Sequence, residues 1–302
     1  MIKARIAIFL AATFMATVGL FVKFMPLSVA GIVEFRGLFG FAWVSVFLLA
    51  MRKGGAVAKL LRYKKVLAFS MAMTVLTILF YFLAIDLVGL GTAAFLLYVG
   101  NLVAVLFMRV FLKERQPRII YVSYGLAIAG VFLIVKPWEG FSISIGILFG
   151  ICSALMLGTL NLSKKIMFRL VESDARSGKP SLPELTIGLT WYTTLGLSIT
   201  FFYTLFTESS IAFTIDAILP GLLLGLVPTA LAFTLFNVGL VKDTGGNVLI
   251  LSYAEPFIAM LLDIIVFGNF SAMVFLGGTC IIIANVLVAR IKQESLAPTR
   301  SP

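Results

Sequence analysis

Histidine is absent from the 302 residues, cysteine occurs twice, and charged residues make up only 12% of the chain. Each shortage closes a class of chemistry. Without histidine there is no Ser-His or Cys-His nucleophile pair and no imidazole to complete a zinc site. Cys152 and Cys280 both sit inside apolar runs with no CxxC spacing, which argues against a haem attachment, a metal site or a disulfide framework. No GxxxxGK[ST] phosphate loop and no paired-aspartate transferase motif is present, so the chain is not expected to be an enzyme or to need a cofactor. Acidic residues are the scarcer charge, 13 against 24 Lys and Arg, for a net charge of +11. Nucleic acid is not the expected partner, because its recognition requires the basic residues to share one soluble face, and here they are scattered over short connectors.

What the sequence has is apolar length. Hydrophobic residues reach 61%, against about 45–50% in soluble proteins. A bilayer-spanning helix needs about 20 mostly apolar residues, and ten such runs follow one another at 6–24, 27–50, 65–87, 90–112, 118–136, 143–163, 185–206, 217–240, 246–268 and 271–290. Little is left for a soluble domain; only 164–184 reads as a long polar loop. Lys3 and Arg5 before an apolar run, with "SVA" ending at Ala30, resemble a secretory signal. The run is longer than such a segment allows, however, and Lys23 and Pro26 interrupt it, so it reads as the first span. Counted over alternate connectors, Lys and Arg fall 21 on one side and two (Lys23 and Lys136) on the other, with Arg36 inside a span. That asymmetry places both termini in the cytoplasm. The expectation is therefore an all-α, polytopic membrane protein with membrane lipid as its solvent.

Shifting the chain by 155 residues lays 80–114 over 235–269 without a gap, so that Gly91 meets Gly246, Tyr98 meets Tyr253 and Ala104 meets Ala259. The identities are few; the common layout of helix, short glycine turn and helix carries the comparison. Two repeats of five spans each, at 1–140 and 141–292 with a disordered tail at 293–302, are expected. Five is odd, so the second repeat is inverted in the membrane, as in secondary transporters whose site lies near the midplane between halves.

The segments "EFRGLFG" (34–40), "FLKERQ" (111–116), "GLAIAGVFLIV" (125–135) and "AEPFIAMLLDIIVFG" (254–268) together resemble the drug/metabolite transporter superfamily, specifically its EamA-like ten-helix exporters. The sequence departs from that pattern in three places. The early tryptophan of the first and sixth helices is replaced by "ATVG" (16–19) and "ALMLG" (154–158), Gly268-Asn269 stands where Gly-Glu is common, and 164–184 is long. The resemblance implies a secondary transporter, an exporter of a small metabolite such as an amino acid, amine or nucleobase, working by alternating access in a prokaryotic plasma membrane. Its partners are that small-molecule substrate and, as a candidate coupling ion, the proton; the oligomeric state is left open. A membrane scaffold or chaperone subunit is the alternative.

Candidate site residues are those whose burial in lipid is costly. Glu255 lies near the midplane beside Pro256, which removes a backbone donor and crowds the carbonyl of Ser252. It is read either as a protonatable or cation-binding carboxylate or as the acceptor at a kink. Asp263, about 12 Å further along the helix, is not something the resemblance predicts. It is read as a functional or a paired carboxylate. Arg36 matches the helix-two arginine of the family, and either Asp263 or a substrate carboxylate is its expected countercharge; Glu34 lies two residues before it. Tyr98, Asn101, Tyr253, Asn161, Trp191 and Asn237 are weaker candidates, since polar groups on membrane helices commonly serve as interhelical glue.

Overall fold

The computed structural model describes residues 2–113, 118–136, 138, 144–174, 178–207, 214–241 and 249–289; the expected repeat boundary at 140/141 and the tail at 293–302 lie outside them. Among the described residues the regular structure is entirely helical, as it must be where lipid offers the backbone no hydrogen-bond partner. In chain order the helices are α1 (Ile2–Ala16), α2 (Val18–Phe24), α3 (Val29–Ala50), α4 (Gly55–Leu60), α5 (Lys64–Val88), α6 (Leu90–Leu112), α7 (Ile119–Val135), α8 (Ile145–Ser173), α9 (Leu182–Thr207), α10 (Ile215–Gly225), α11 (Ala232–Val241), α12 (Ala254–Phe267) and α13 (Ala272–Ala289). A π-helical segment, Leu226–Leu231, joins α10 to α11, and a 3-10 segment, Leu249–Tyr253, leads into α12. Helix occupies each of the ten apolar runs. Six stretches are long and apolar enough to cross a bilayer by length and composition: Arg5–Phe24, Val29–Ala50, Gly55–Val88, Leu90–Leu112, Ile145–Ser173 and Ile215–Phe236.

The distribution of polarity is that of a protein in lipid. Ile265 is 76% exposed and Ile128 69%, while Ser123, Ser153, Thr194 and Thr229 are wholly buried. Apolar side chains thus face outward and hydroxyls inward, the reverse of what water selects. The chain is an integral membrane protein.

Helix ends follow local chemistry. Ser28 Oγ accepts from the Gly31 amide (3.2 Å) at the start of α3, and Ser144 Oγ from the Ile147 amide (3.3 Å) at the start of α8, satisfying donors that a first turn leaves open. Between α5 and α6, Gly89 takes φ 84°, a conformation that suits a residue without a Cβ.

Small residues set the packing. A Cβ added to Gly130 of α7 would lie 2.5 Å from the Gly277 carbonyl of α13, and the reverse holds for Gly277, so the two backbones cross in contact. In the same way Gly37 of α3 seats on Leu197 of α9, and Gly150 of α8 on Leu96 of α6. Helix α5 packs on α8 and α9, α6 on α8 and α12, α1 on α11 and α12, α3 on α9 and α10, and α7 on α13.

Two expectations are corrected. The polar loop expected at 164–184 is helical as far as Ser173, because Met167 and Val171 recur at helical spacing and are buried against Leu60, Tyr63, Leu67, Leu185 and Leu189. The ninth run is not one α-helix kinked at Pro256. Its α-helix begins at Ala254, after the 3-10 segment, which puts proline in a first turn, where no backbone donor is missed.

Candidate functional site

The site grows from two prolines. In an α-helix the carbonyl of residue i accepts from the amide of residue i+4, and proline has no amide hydrogen. Pro228, in the π segment, therefore leaves the carbonyl of Leu224 without its usual donor. The hydroxyl of Thr229 donates to it instead (2.9 Å). With its hydrogen committed, the Thr229 oxygen offers a lone pair, and Arg36 Nε of α3 donates to it (3.1 Å). Gly40, one turn beyond Arg36, makes the approach possible, because a Cβ there would lie 2.9 Å from Thr229 Cγ2.

The second proline, Pro256, follows the 3-10 segment, and there the Tyr98 hydroxyl of α6 lies 2.9 Å from the Ser252 carbonyl oxygen and 2.8 Å from Glu255 Oε2. Its single hydrogen serves one acceptor or the other. The Tyr98 and Tyr253 rings meet edge to face with centroids 5.6 Å apart, so the two residues that the 155-residue shift superposes touch each other.

These two hydroxyl-anchored groups belong to one polar cluster. Arg36 is 5% exposed and Glu255 8%, and the pair, with Tyr81 of α5, lie within electrostatic range of one another. The Arg36 guanidinium stands over the Phe82 ring, 5.4 Å from its centroid, a favourable placement for a cation. At about 1.5 Å per residue, Arg36 and Tyr98 lie about 10 and 12 Å along α3 and α6, deep in a hydrocarbon core about 30 Å thick. The ion pairs formed between described residues, Lys23–Asp86 (3.6 Å) and Lys59–Glu184 (2.8 Å), lie elsewhere.

Of the two countercharges considered for Arg36, Asp263 is bonded elsewhere. Asp263 Oδ2 accepts from the Gly91 amide of α6 (3.0 Å) and Oδ1 from Asn269 Nδ2 (3.2 Å). A carboxylate at the first turn of a helix meets unpaired amides and the positive end of the helix dipole, so Asp263 caps α6 across an interhelical contact and needs no guanidinium. Asp263 and Asn269, two residues that set this sequence apart from the pattern it resembles, are thus bonded to each other. They border a cavity of about 400 Å³ at the end of the bundle, lined also by Lys23, Asp86, Gly89 and Thr92.

The remaining candidates divide. Asn161 Nδ2 donates to Asn101 Oδ1 (3.2 Å) and joins α8 to α6, while Trp191 Nε1 donates to Ser45 Oγ (2.9 Å) and joins α9 to α3; both act as interhelical ties. Tyr253 belongs to the cluster through its contact with Tyr98. Glu34 is buried on α3. Asn237 lies on α11, and its side chain is outside the described residues. Sequence reasoning missed Thr229, Tyr81 and Phe82. For Thr229 a signal existed in "VPTA" (227–230), a proline followed by a hydroxyl inside an apolar run.

Residues 2–136 match the EamA-like transporter family. An uncharacterized transporter of Archaeoglobus fulgidus is 30% identical over 286 residues, 94% of each chain. The pseudopaline exporter CntI of Pseudomonas aeruginosa is 31% identical over 129 residues, 43% of this chain and 44% of its own. A protein of known crystal structure, 20% identical, aligns over 94% of this chain and 96% of its own with a TM-score of 0.63, which is a likeness of fold.

Proposed function

Because the chain belongs to the EamA-like transporter family of the drug/metabolite transporter superfamily, we propose that it moves a small metabolite outward across a prokaryotic plasma membrane by alternating access, with the Arg36–Thr229 and Tyr98–Glu255 cluster as its binding site. One observation carries the reading. Two opposite charges are buried deep in the bundle, beside the π-helical and 3-10 segments that replace regular α-helix, and each is held by a hydroxyl instead of by the other charge. A purely structural pair would have closed into contact, because leaving buried charges apart is costly.

Ten spans in two inverted repeats, 1–140 and 141–292, are supported by the packing. If the first span is exchanged for the sixth, the second for the seventh and so on, α5 on α8 becomes α11 on α1, α6 on α8 becomes α12 on α1, and α5 on α9 becomes α10 on α3. All of these contacts are made, and α3–α9, α6–α12 and α7–α13 map onto themselves. Residues related by a two-fold axis touch only beside it, so the Tyr98–Tyr253 contact supports an axis running through the cluster, where such transporters bind. Cytoplasmic termini follow from the basic asymmetry, and outward transport is in keeping with the similarity to an exporter over part of the chain. Protons are the proposed coupling ion through Glu255, which lies within electrostatic range of Arg36, Tyr81 and Tyr98.

The test is transport into proteoliposomes of amino acids, amines and nucleobases supplied singly. A saturable flux that Arg36→Gln and Glu255→Gln each abolish in correctly folded protein, with a pH profile that Glu255→Gln flattens, is the expected result. A flux indifferent to both substitutions would move the site elsewhere. Orientation is checked on a cysteine-free background: Ser271→Cys should react with an impermeant thiol reagent in intact cells, and Lys179→Cys should not.

A further inference from the structure

The stretch that joins α3 to α5 and opens α5 carries six cations, Arg52, Lys53, Lys59, Arg62, Lys64 and Lys65, and no acid. From its place at the end of the bundle, and independently of the Arg36 and Glu255 cluster, we infer that this stretch is a docking surface for anionic phospholipid. Its cations bond the headgroup phosphates of one leaflet, while Leu61 and Phe69 enter the acyl layer beside them.

Depth is the first support. Helix α5 ends at Val88, close to the Lys23–Asp86 pair that marks the opposite edge of the bilayer. A hydrocarbon core about 30 Å thick takes up about 20 helical residues, which reaches back to Phe69, 46% exposed as a side chain in lipid is. Lys65 and Lys64 stand about 6–8 Å beyond it, at headgroup level, and Leu61, 55% exposed, lies on the far side of Lys65. A long cationic side chain between two outward apolar ones is held at the boundary of lipid and water.

Rigidity and unmatched charge are the second and third. Helix α4 buries Ala56 and Leu60, the Tyr63 hydroxyl donates to Asp174 Oδ2 (2.8 Å), and the Tyr192 hydroxyl of α9 donates to the Val57 carbonyl (2.9 Å). Cations on so fixed a platform lose less freedom on binding than those of a flexible tail. Lys59 pairs with Glu184 (2.8 Å), whereas Arg52, Lys53, Arg62, Lys64 and Lys65 form no ion pair with the described residues. All of these five except the half-buried Lys53 are exposed. The neighbouring acids do not serve them: Glu184 is engaged by Lys59 and Asp174 by Tyr63, and Glu172, exposed on α8, pairs with none of the five. Like charges gathered on one short stretch repel one another. An anionic membrane surface removes that repulsion, each cation near it strengthening binding by up to about fivefold; a zwitterionic surface carries no net charge to do so.

The experiment uses the full chain in detergent and follows the melting temperature as phosphatidylglycerol, phosphatidylcholine or inorganic phosphate is added. Phosphatidylglycerol should raise it saturably, and less so as salt is increased; phosphatidylcholine and phosphate should not. In Arg62→Gln/Lys65→Gln, half-saturation should require on the order of tenfold more phosphatidylglycerol. Lys113→Gln/Arg118→Gln removes as much charge from the α6–α7 connector on the same side and should stay within about twofold of the parent. Before lipid is added, Arg62→Gln/Lys65→Gln should melt no lower than the parent, because repulsion has been relieved. Equal stabilisation of the parent by the two phospholipids overturns the inference, and that result depends on no variant folding. Equal losses in the two double variants overturn it as well, since they would trace the effect to net charge. Stabilisation by inorganic phosphate, with nothing further from phosphatidylglycerol, would make the stretch an anion site and remove the lipid surface. An Arg62→Gln/Lys65→Gln protein that melts lower than the parent without lipid would assign these cations to the fold instead.

Discussion

Replacing Thr229 by valine keeps the shape of the side chain, including the methyl group that packs on Gly40, and removes one oxygen. Two bonds go with it: the donation to the Leu224 carbonyl (2.9 Å) and the acceptance from Arg36 Nε (3.1 Å). Hydrogen bonds between membrane helices average about 0.6 kcal/mol and reach about 1.7, and bonds to a charged group contribute about 1.5–3. The loss should therefore be about 2 kcal/mol, most of it from the guanidinium. Pro228→Ala dissects the sum. Alanine restores an amide hydrogen four residues beyond Leu224, so in Pro228→Ala/Thr229→Val the carbonyl regains a partner while Arg36 does not. The double variant should recover about 0.5–1 kcal/mol, and Thr229→Ser, which keeps the hydroxyl, should stay within about 0.5 kcal/mol of the parent. Equilibrium unfolding in detergent measures all four proteins. A Thr229→Val protein as stable as the parent, or a double variant no better than Thr229→Val, would refute the account in which the hydroxyl stands in for the missing proline amide.

Three further outcomes follow from the geometry. Asp263→Asn weakens the cap on α6 and should lower stability by about 1 kcal/mol in the same unfolding measurement; an unchanged midpoint would deny the capping role. Gly130→Val drives a side chain into the Gly277 carbonyl 2.5 Å away and should cost about 1–3 kcal/mol or prevent folding, whereas Gly125→Ala, with nothing within 4 Å, should be neutral or stabilising by about 0.5–1 kcal/mol. Glu184, ahead of the apolar run of α9, is held down to about 2 by its hydrogen bond from Lys59, helped by Ser181. A folded value below the unfolded one means that its contribution is present above about pH 4.5 and is lost as the pH falls through about 2. Because the pair is partly exposed, the effect is under about 1 kcal/mol, read as a shallower acid slope of the melting temperature in Glu184→Gln.

The positions of the helices were legible from composition because lipid leaves the backbone no alternative: an apolar run of about 20 residues must bond to itself, and the period of its side chains hardly matters. The cost of a buried charge likewise singled out Arg36, Glu255 and Asp263 without any knowledge of their neighbours. Partners were not legible. Thr229 lies 193 residues from Arg36 and Gly91 172 from Asp263, and which helices adjoin is settled by glycine contacts such as Gly37 on Leu197 and Gly130 on Gly277, each a property of two surfaces. The same holds for the end of α8, where lysines and an arginine read as loop until Met167 and Val171 find an apolar groove. Sequence alone thus determined which residues could not be left in lipid unattended, since that depends on each side chain and its solvent. Only the tertiary structure decided that Arg36 rests on a threonine beside a proline and that Asp263 caps a helix, because a buried charge is satisfied by whatever polar atom the packing of other helices brings within reach.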